Sequence, residues 1–212
     1  MATIEGGLVI SVWPLNLCLI VTLYTCVMEH LYYLMGSSGA GKDSIMHYAR
    51  SRLASDDRVI FAHRYITRPS NAGGENHIAL SDEEFERRLD LGLFCMNWSS
   101  HGCQYGLGIE IIAWLDRGVD VVMNGSRNYL AEARRVFPGI APVLITVSSD
   151  VLRERLMARG RESEVEIEKR IQRNLEIDVD DSQAIRVSND GPLEESGEQF
   201  LSILRSFSVS SS

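Results

Sequence analysis

One run of residues constrains this chain more than any other: Gly36-Ser37-Ser38-Gly39-Ala40-Gly41-Lys42 follows the pattern GxxxxGK. A short apolar run at 30–35 precedes it and reads as a buried strand. Ile45, Met46, Ala49 and Leu53 follow at helical spacing and give one apolar face. Glycines so placed let the backbone wrap a polyphosphate. Successive N–H groups and the positive end of the helix then face the anion, and the lysine adds a mobile cation. A Gly-rich turn that only joins strand to helix would require neither the spacing nor the lysine. Residues Gly36, Ser37, Ser38, Gly39, Ala40, Gly41, Lys42, Asp43 and Ser44 are therefore read as a nucleotide-phosphate cradle, with Lys42 as its working cation.

The residue after the lysine departs from the usual pattern. Asp43 stands where a Ser or Thr hydroxyl ordinarily meets magnesium, and Ser44 comes one place later. An acid in the first helical turn suits the helix dipole. Beside nucleotide phosphates, however, a carboxylate is unfavourable unless a cation neutralises it, and magnesium prefers oxygen ligands. Asp43 is the expected magnesium ligand.

Beyond the cradle, strand and helix patterns alternate. Predicted strands lie at 59–66, 119–123, 143–147 and 184–187, with helical periodicity over 82–89, 109–115, 129–136, 150–158, 165–177 and 193–207. Such alternation implies crossover connections and a mainly parallel sheet covered on both faces, an α/β fold. The segment 68–106 breaks the alternation and reads as a small inserted lobe. The serine-rich end, 209–212, reads as a frayed tail.

The 212 residues carry a formal charge of -8, which excludes a general basic field for nucleic acid or an anionic membrane. Phosphate-binding cations must then be local. Cys18, Cys26, Cys95 and Cys103 form neither a CxxC pair nor a zinc spacing, consistent with a reducing, cytoplasmic setting. The apolar run at 15–28 is too short for the roughly 20 residues that span a bilayer. It also has no positive flank, because the first Lys or Arg is Lys42. Residues 1–27 are read as a buried or irregular apolar extension without stable membrane insertion.

GSSGAGKDS, HRYITRP, GGENHIALSDEEF, YGLGIEI, NGSR and RLMARGRE, in this order, resemble the ribose 1,5-bisphosphate phosphokinases. These are guanylate-kinase-like enzymes of bacterial phosphonate degradation. The resemblance runs from about residue 29 to about 204. Chains of that family start just before the cradle strand, which makes Met28 an alternative start and 28–208 the kinase domain. The resemblance implies a P-loop fold that binds ATP, an acceptor lobe over about 68–106 and an arginine lid over about 153–173. It also implies magnesium as cofactor and a small phosphorylated sugar as second substrate. The implied reaction carries the γ-phosphoryl group of ATP to ribose 1,5-bisphosphate, giving 5-phospho-α-D-ribose 1-diphosphate.

Several side chains take expected roles from this resemblance. Thr67-Arg68-Pro69 matches the acceptor-binding turn of guanylate kinases, where a guanidinium grips phosphate. Tyr105-Gly106 matches a later tyrosine-glycine pair, and Asn124 and Arg127 of the NGSR strand end join the acceptor site. Arg159 and Arg161 match lid arginines that close over the transferring phosphate. Asp120 either matches the acidic residue of related strands or is a solvated residue at the strand's start. Two rivals stay open. A nucleoside monophosphate kinase would need base-reading groups around 73–77, where none is evident. An inactive interaction module would need neither Lys42 nor the arginines.

Overall fold

The computed structural model describes residues 31–53, 58–70, 76–100, 102–160, 162–176 and 183–208. The expectations for residues 1–27, the start at Met28, Arg161 and the 209–212 tail lie outside the described residues, as does the side chain of Arg173.

Strand β1 (Leu31–Gly36) is a continuous apolar run because it is buried on both faces at the centre of a parallel sheet. It pairs with β7 (Asp120–Asn124) on one side and β8 (Ala141–Thr146) on the other. β2 (Val59–Phe61) and β9 (Ile185–Ser188) complete the order β2-β7-β1-β8-β9, all parallel. Side chains alternate across the sheet. Tyr32 and Leu34 pack with Ile45 and Ala49 of α1 (Lys42–Arg52) and with Phe200 and Leu204 of α7 (Leu193–Ser208). Leu31, Tyr33 and Met35 face the other way, against Leu115 of α3 (Glu110–Leu115) and Leu130 of α4 (Leu130–Val136). This is the α/β P-loop architecture with helices on both faces.

The stretch 59–66 is not the single strand its apolar content suggests. The chain leaves the main sheet after Phe61 and enters a second sheet as β3 (Tyr65–Ile66). That sheet has the order β4-β3-β6-β5, with β4 at Ile78–Ala79, β5 at Phe94–Ser100 and β6 at Cys103–Gly108. It encloses the segment read as an inserted lobe and carries helix α2 (Asp82–Asp90), capped by Ser81 Oγ accepting from Glu84 N–H at 3.2 Å. Gly106 is required here by close approach, since a Cβ would lie 2.7 Å from the Phe94 ring. Two further helices, α5 (Ser149–Arg159) and α6 (Glu164–Glu176), share a small core of Leu152, Leu156, Ile167 and Ile171. Among the described residues, no helix is long and apolar enough to cross a membrane.

Candidate active site

The cradle occupies the carboxyl edge of β1, where open parallel sheets bind ligands. Gly39 and Gly41 have φ of 98° and 93°, a region that favours glycine. Lys42 Nζ donates to the carbonyls of Gly36 and Ser37 at 3.0 and 3.2 Å, so its ammonium lies folded along the turn it serves. Two supports from outside the motif hold this shape. Buried Asn189 donates from Nδ2 to the Ala40 carbonyl at 2.7 Å, and its Oδ1 accepts from Ser196 Oγ of α7 at 2.9 Å. Leu152 of α5 lies against Gly39, where a Cβ would meet its Cδ1 at 2.8 Å. Asn189 thus braces the cradle from below; in the sequence, Asn189-Asp190-Gly191 reads either as a segment that in related kinases lies near the adenine or as a turn.

The cradle opens on a cleft of 470 Å³ lined by Asp43, Ser44, Asn124, Asn76, Arg64 and Arg50, among others. Asp43 and Asn124 meet directly: Asn124 Nδ2 donates to Asp43 Oδ1 at 3.3 Å. Parallel register explains the meeting, because Asn124 ends β7 opposite Leu34 of β1, two residues before the cradle. The turn after Asn124 is fastened by Tyr33, whose hydroxyl donates to Ser126 O and accepts from Ser126 N–H, both at 2.8 Å. Burial raises the Tyr33 pKa and keeps it a neutral phenol able to do both. Asp120 is buried at the opposite end of β7, so it is neither a solvated residue nor part of this edge. Its charge helps raise the Tyr32 pKa, after burial itself.

In the second sheet, Thr67 Oγ1 accepts from Gln104 N–H at 2.9 Å and ties the Thr67-Arg68-Pro69 turn to β6. Buried His77 lies 3.0 Å from the Arg68 carbonyl through Nε2, so it fixes that turn's backbone. The Nε of Arg68 is buried without a hydrogen-bond partner among the described residues, an arrangement that asks for an anion or water. Tyr105 is buried and stacked on Trp98, with centroids 5.5 Å apart and planes 3° from parallel. Arg64 lies over both rings, 4.8 Å from the Tyr105 centroid and 5.8 Å from that of Trp98. Sequence reasoning passed over Arg64 and Trp98. The available signal was the Arg three places after the β2 run, beside a lobe rich in aromatic residues.

Helix α5 brings its arginines to different surroundings. Arg155 places a buried Nη1, without a hydrogen-bond partner among the described residues, 3.9 Å from where a Gly41 Cβ would stand, so it faces the cradle. Arg159 is exposed at the end of the helix, before Gly160 at φ 60°. Arg153 is paired with Glu168 of α6 at 2.6 and 3.1 Å. Arg170 pairs with Glu162, while Glu166 caps its own helix by accepting from Ser163 N–H at 2.8 Å. Arg127 donates to Asn174 Oδ1 at 2.9 Å and to its carbonyl at 3.3 Å, which links the NGSR turn to α6. Burial holds the Arg127 guanidinium below its ordinary pKa. Among the described residues, no group of three His, Cys, Asp or Glu could hold a metal by itself.

The fold and cradle define a P-loop phosphotransferase of guanylate-kinase architecture. The crystal structure of guanylate kinase from Anaplasma phagocytophilum superposes with a TM-score of 0.60 at 16% identity, covering 83% of this chain and 85% of that one. No protein-family profile matches the chain. Curated relatives are more specific. Ribose 1,5-bisphosphate phosphokinase PhnN of Thiobacillus denitrificans is 51% identical over 174 residues, 82% of this chain and 92% of that protein. Ribose 1,5-bisphosphate phosphokinase PhnN of Desulfomicrobium baculatum is 50% identical over 183 residues, 86% of this chain and 98% of its own length. The chain belongs to the ribose 1,5-bisphosphate phosphokinase family.

Proposed function

We propose that the protein catalyses ATP-dependent phosphorylation of ribose 1,5-bisphosphate to 5-phospho-α-D-ribose 1-diphosphate, the step its family implies in phosphonate breakdown. The observation that supports this reading is the cleft shared by Asp43 and Ser44 at the end of the cradle, Asn124 at the strand end, and Arg64 and Asn76 from the acceptor side. An oxygen of the sugar 1-phosphate attacks the γ-phosphorus of ATP, the bond from that phosphorus to the β-phosphate bridging oxygen breaks, and ADP leaves. The attacking oxygen is already ionised at neutral pH. No general base is needed, and catalysis reduces to positioning and charge neutralisation.

Lys42 follows the β- and γ-phosphates as charge develops, exchanging its carbonyl partners for phosphate oxygens. Arg68 grips the acceptor phosphate, with Tyr105 and Asn124 shaping its pocket. Arg127 secures the α6 side of the site, and Arg159 and Arg161 close over the transferring group. Arg155 joins them at the cradle. A divalent metal accompanies ATP in kinases of this kind. The residues suit magnesium, which needs only one or two carboxylates beyond phosphate and water: Asp43 offers an exposed carboxylate and Ser44 a hydroxyl in the same cleft. When bound, it neutralises phosphate charge and lowers the repulsion met by the incoming anion. We assign the reaction to the cytoplasm, where ATP and free thiols such as Cys95 and Cys103 coexist.

The test is an acceptor panel with ATP and magnesium. Ribose 1,5-bisphosphate is expected to turn over, with kcat/KM far above that of GMP, AMP or dTMP. Preference for any of the nucleotides would replace this reading with that of a nucleoside monophosphate kinase.

A further inference from the structure

We propose that Asn189 is a positioning residue for ATP: it holds the Ala40–Gly41 peptide in the orientation that lets the cradle bind phosphate, and Ser196 of α7 holds Asn189 in turn. This rests on the phosphotransfer reading given above and assigns a part of the nucleotide site that lies outside the GxxxxGK run.

The cradle needs such a support because its own sequence leaves that peptide loose. A peptide is planar and trans, so the Ala40 carbonyl and the Gly41 N–H point in opposite directions. Flipping this one unit changes only ψ of Ala40 and φ of Gly41, and glycine accepts either sign of φ. Gly41 stands at φ 93° at the start of α1, where no side chain caps the helix. A flipped peptide would turn a carbonyl oxygen to the side from which an N–H should meet a polyphosphate.

Asn189 opposes that flip. Its Nδ2 donates to the Ala40 carbonyl at 2.7 Å, and the residue is only 3% exposed, so water does not compete for the bond. A carbonyl can only accept, so the amide must turn its NH2 to Ala40 and its oxygen away. The buried Ser196 hydroxyl meets that oxygen at 2.9 Å. Gly41 leaves room for the approach, since a Cβ there would stand 2.2 Å from Asn189 Nδ2. The brace itself is anchored. Asn189 N–H donates to Thr146 O of β8 at 2.9 Å, and the Asp190 carboxylate beside it accepts from Ser148 N–H at 2.6 Å. With the carbonyl drawn toward this fixed amide, the Gly41 N–H is held facing away from it.

Inorganic tripolyphosphate separates phosphate positioning from recognition of the nucleoside. Its inhibition constant against ATP, the Kd of ATP with magnesium and the KM of both substrates are measured in wild type, Asn189→Ala, Asn189→Asp and Ser196→Ala. Asn189→Ala is expected to weaken ATP and tripolyphosphate by the same factor, about 3- to 12-fold, the loss of one neutral hydrogen bond. The KM for ribose 1,5-bisphosphate stays at its wild-type value. Asn189→Asp keeps the size but sets a carboxylate oxygen against the Ala40 carbonyl, and loses more. Ser196→Ala keeps the amide, loses less, and carries the test should both Asn189 variants misfold. In the Asn189→Ala background it adds nothing, as expected of two members of one chain of bonds. Weaker ATP binding with tripolyphosphate unaffected would overturn the proposal, since Asn189 would then read the nucleoside. So would an equal rise in both KM values, or a lowered Tm with unchanged ATP binding, either of which makes Asn189 a core residue only. If tripolyphosphate fails to compete with ATP in wild type, the cradle reading itself falls, and that is known before any variant is made.

Discussion

Asp43 shows how much a single residue type can say and where it stops. An acid directly after the cradle lysine predicts a metal ligand from charge alone, and the spatial partner, Asn124, comes from a strand 81 positions away in sequence. In this pairing an amide on the strand supports a carboxylate on the cradle. Asp43→Ala is expected to lower kcat/KM by about 100-fold at subsaturating magnesium, in the range seen when a metal site loses a supporting group. Asp43→Ser is milder, because a hydroxyl can serve. Asn124→Asp alone sets two carboxylates together and is harmful, yet in the Asp43→Ser background it restores an acid to the site and raises activity. Contacting residues are non-additive in this way. A double-mutant cycle across a magnesium titration checks it; additive effects with unaltered magnesium dependence would make Asp43 a helix-start residue only.

Elements were legible in proportion to how much of their character comes from their own sequence. The cradle, β1, β7, β8 and the long helices carry continuous or 3.6-periodic apolar patterns, and the structure has them within a few residues of expectation. The lobe strands were not legible. β5 is half polar and bulged near Phe94, and β3 and β4 are two residues each, so their pairing is decided by partners far along the chain. Arg64 was missed, and the bracing bond of Asn189 was not legible, for the same reason: ring contacts and a bond to the Ala40 carbonyl exist only after folding. At this scale the lid pair is the element most open to test. Its small core contacts the cradle through Leu152 and Gly39, so packing, not the exposed Arg153–Glu168 pair, should set its stability. Leu156→Ala is expected to cost about 2–5 kcal/mol locally. Limited proteolysis should then cut between α5 and α6 while the main sheet keeps its unfolding midpoint, and kcat should fall because the lid arginines lose their support. Unchanged cleavage and kcat would show that the pair is held from elsewhere.

For the whole molecule, two sheets of different depth meet at one cleft. The parallel sheet has β1, β7 and β8 almost wholly buried, whereas Ile78 and Ala79 of β4 are exposed at the edge of the lobe sheet. Openings should therefore be graded: amides of β1, β7 and β8 exchange with solvent only on global unfolding, and those of β3 and β4 through local opening of the lobe. The two substrates should act on different parts of this hierarchy. On the proposed binding mode, ATP with magnesium contacts the cradle and α5 and is expected to slow local exchange over 37–46 and 149–159. On the same proposal, the sugar bisphosphate contacts the acceptor lobe and is expected to slow exchange over 64–68 and 103–108. Either ligand, at about 100 times its Kd, stabilises the native state by about 2.7 kcal/mol and so slows the globally exchanging amides of β1, β7 and β8 by about 100-fold. Hydrogen exchange read by mass spectrometry distinguishes these responses. If the sugar bisphosphate protected only the cradle helix and left the lobe strands unchanged, the acceptor would lie on the nucleotide side of the cleft, and the division of labour between the two sheets would be wrong.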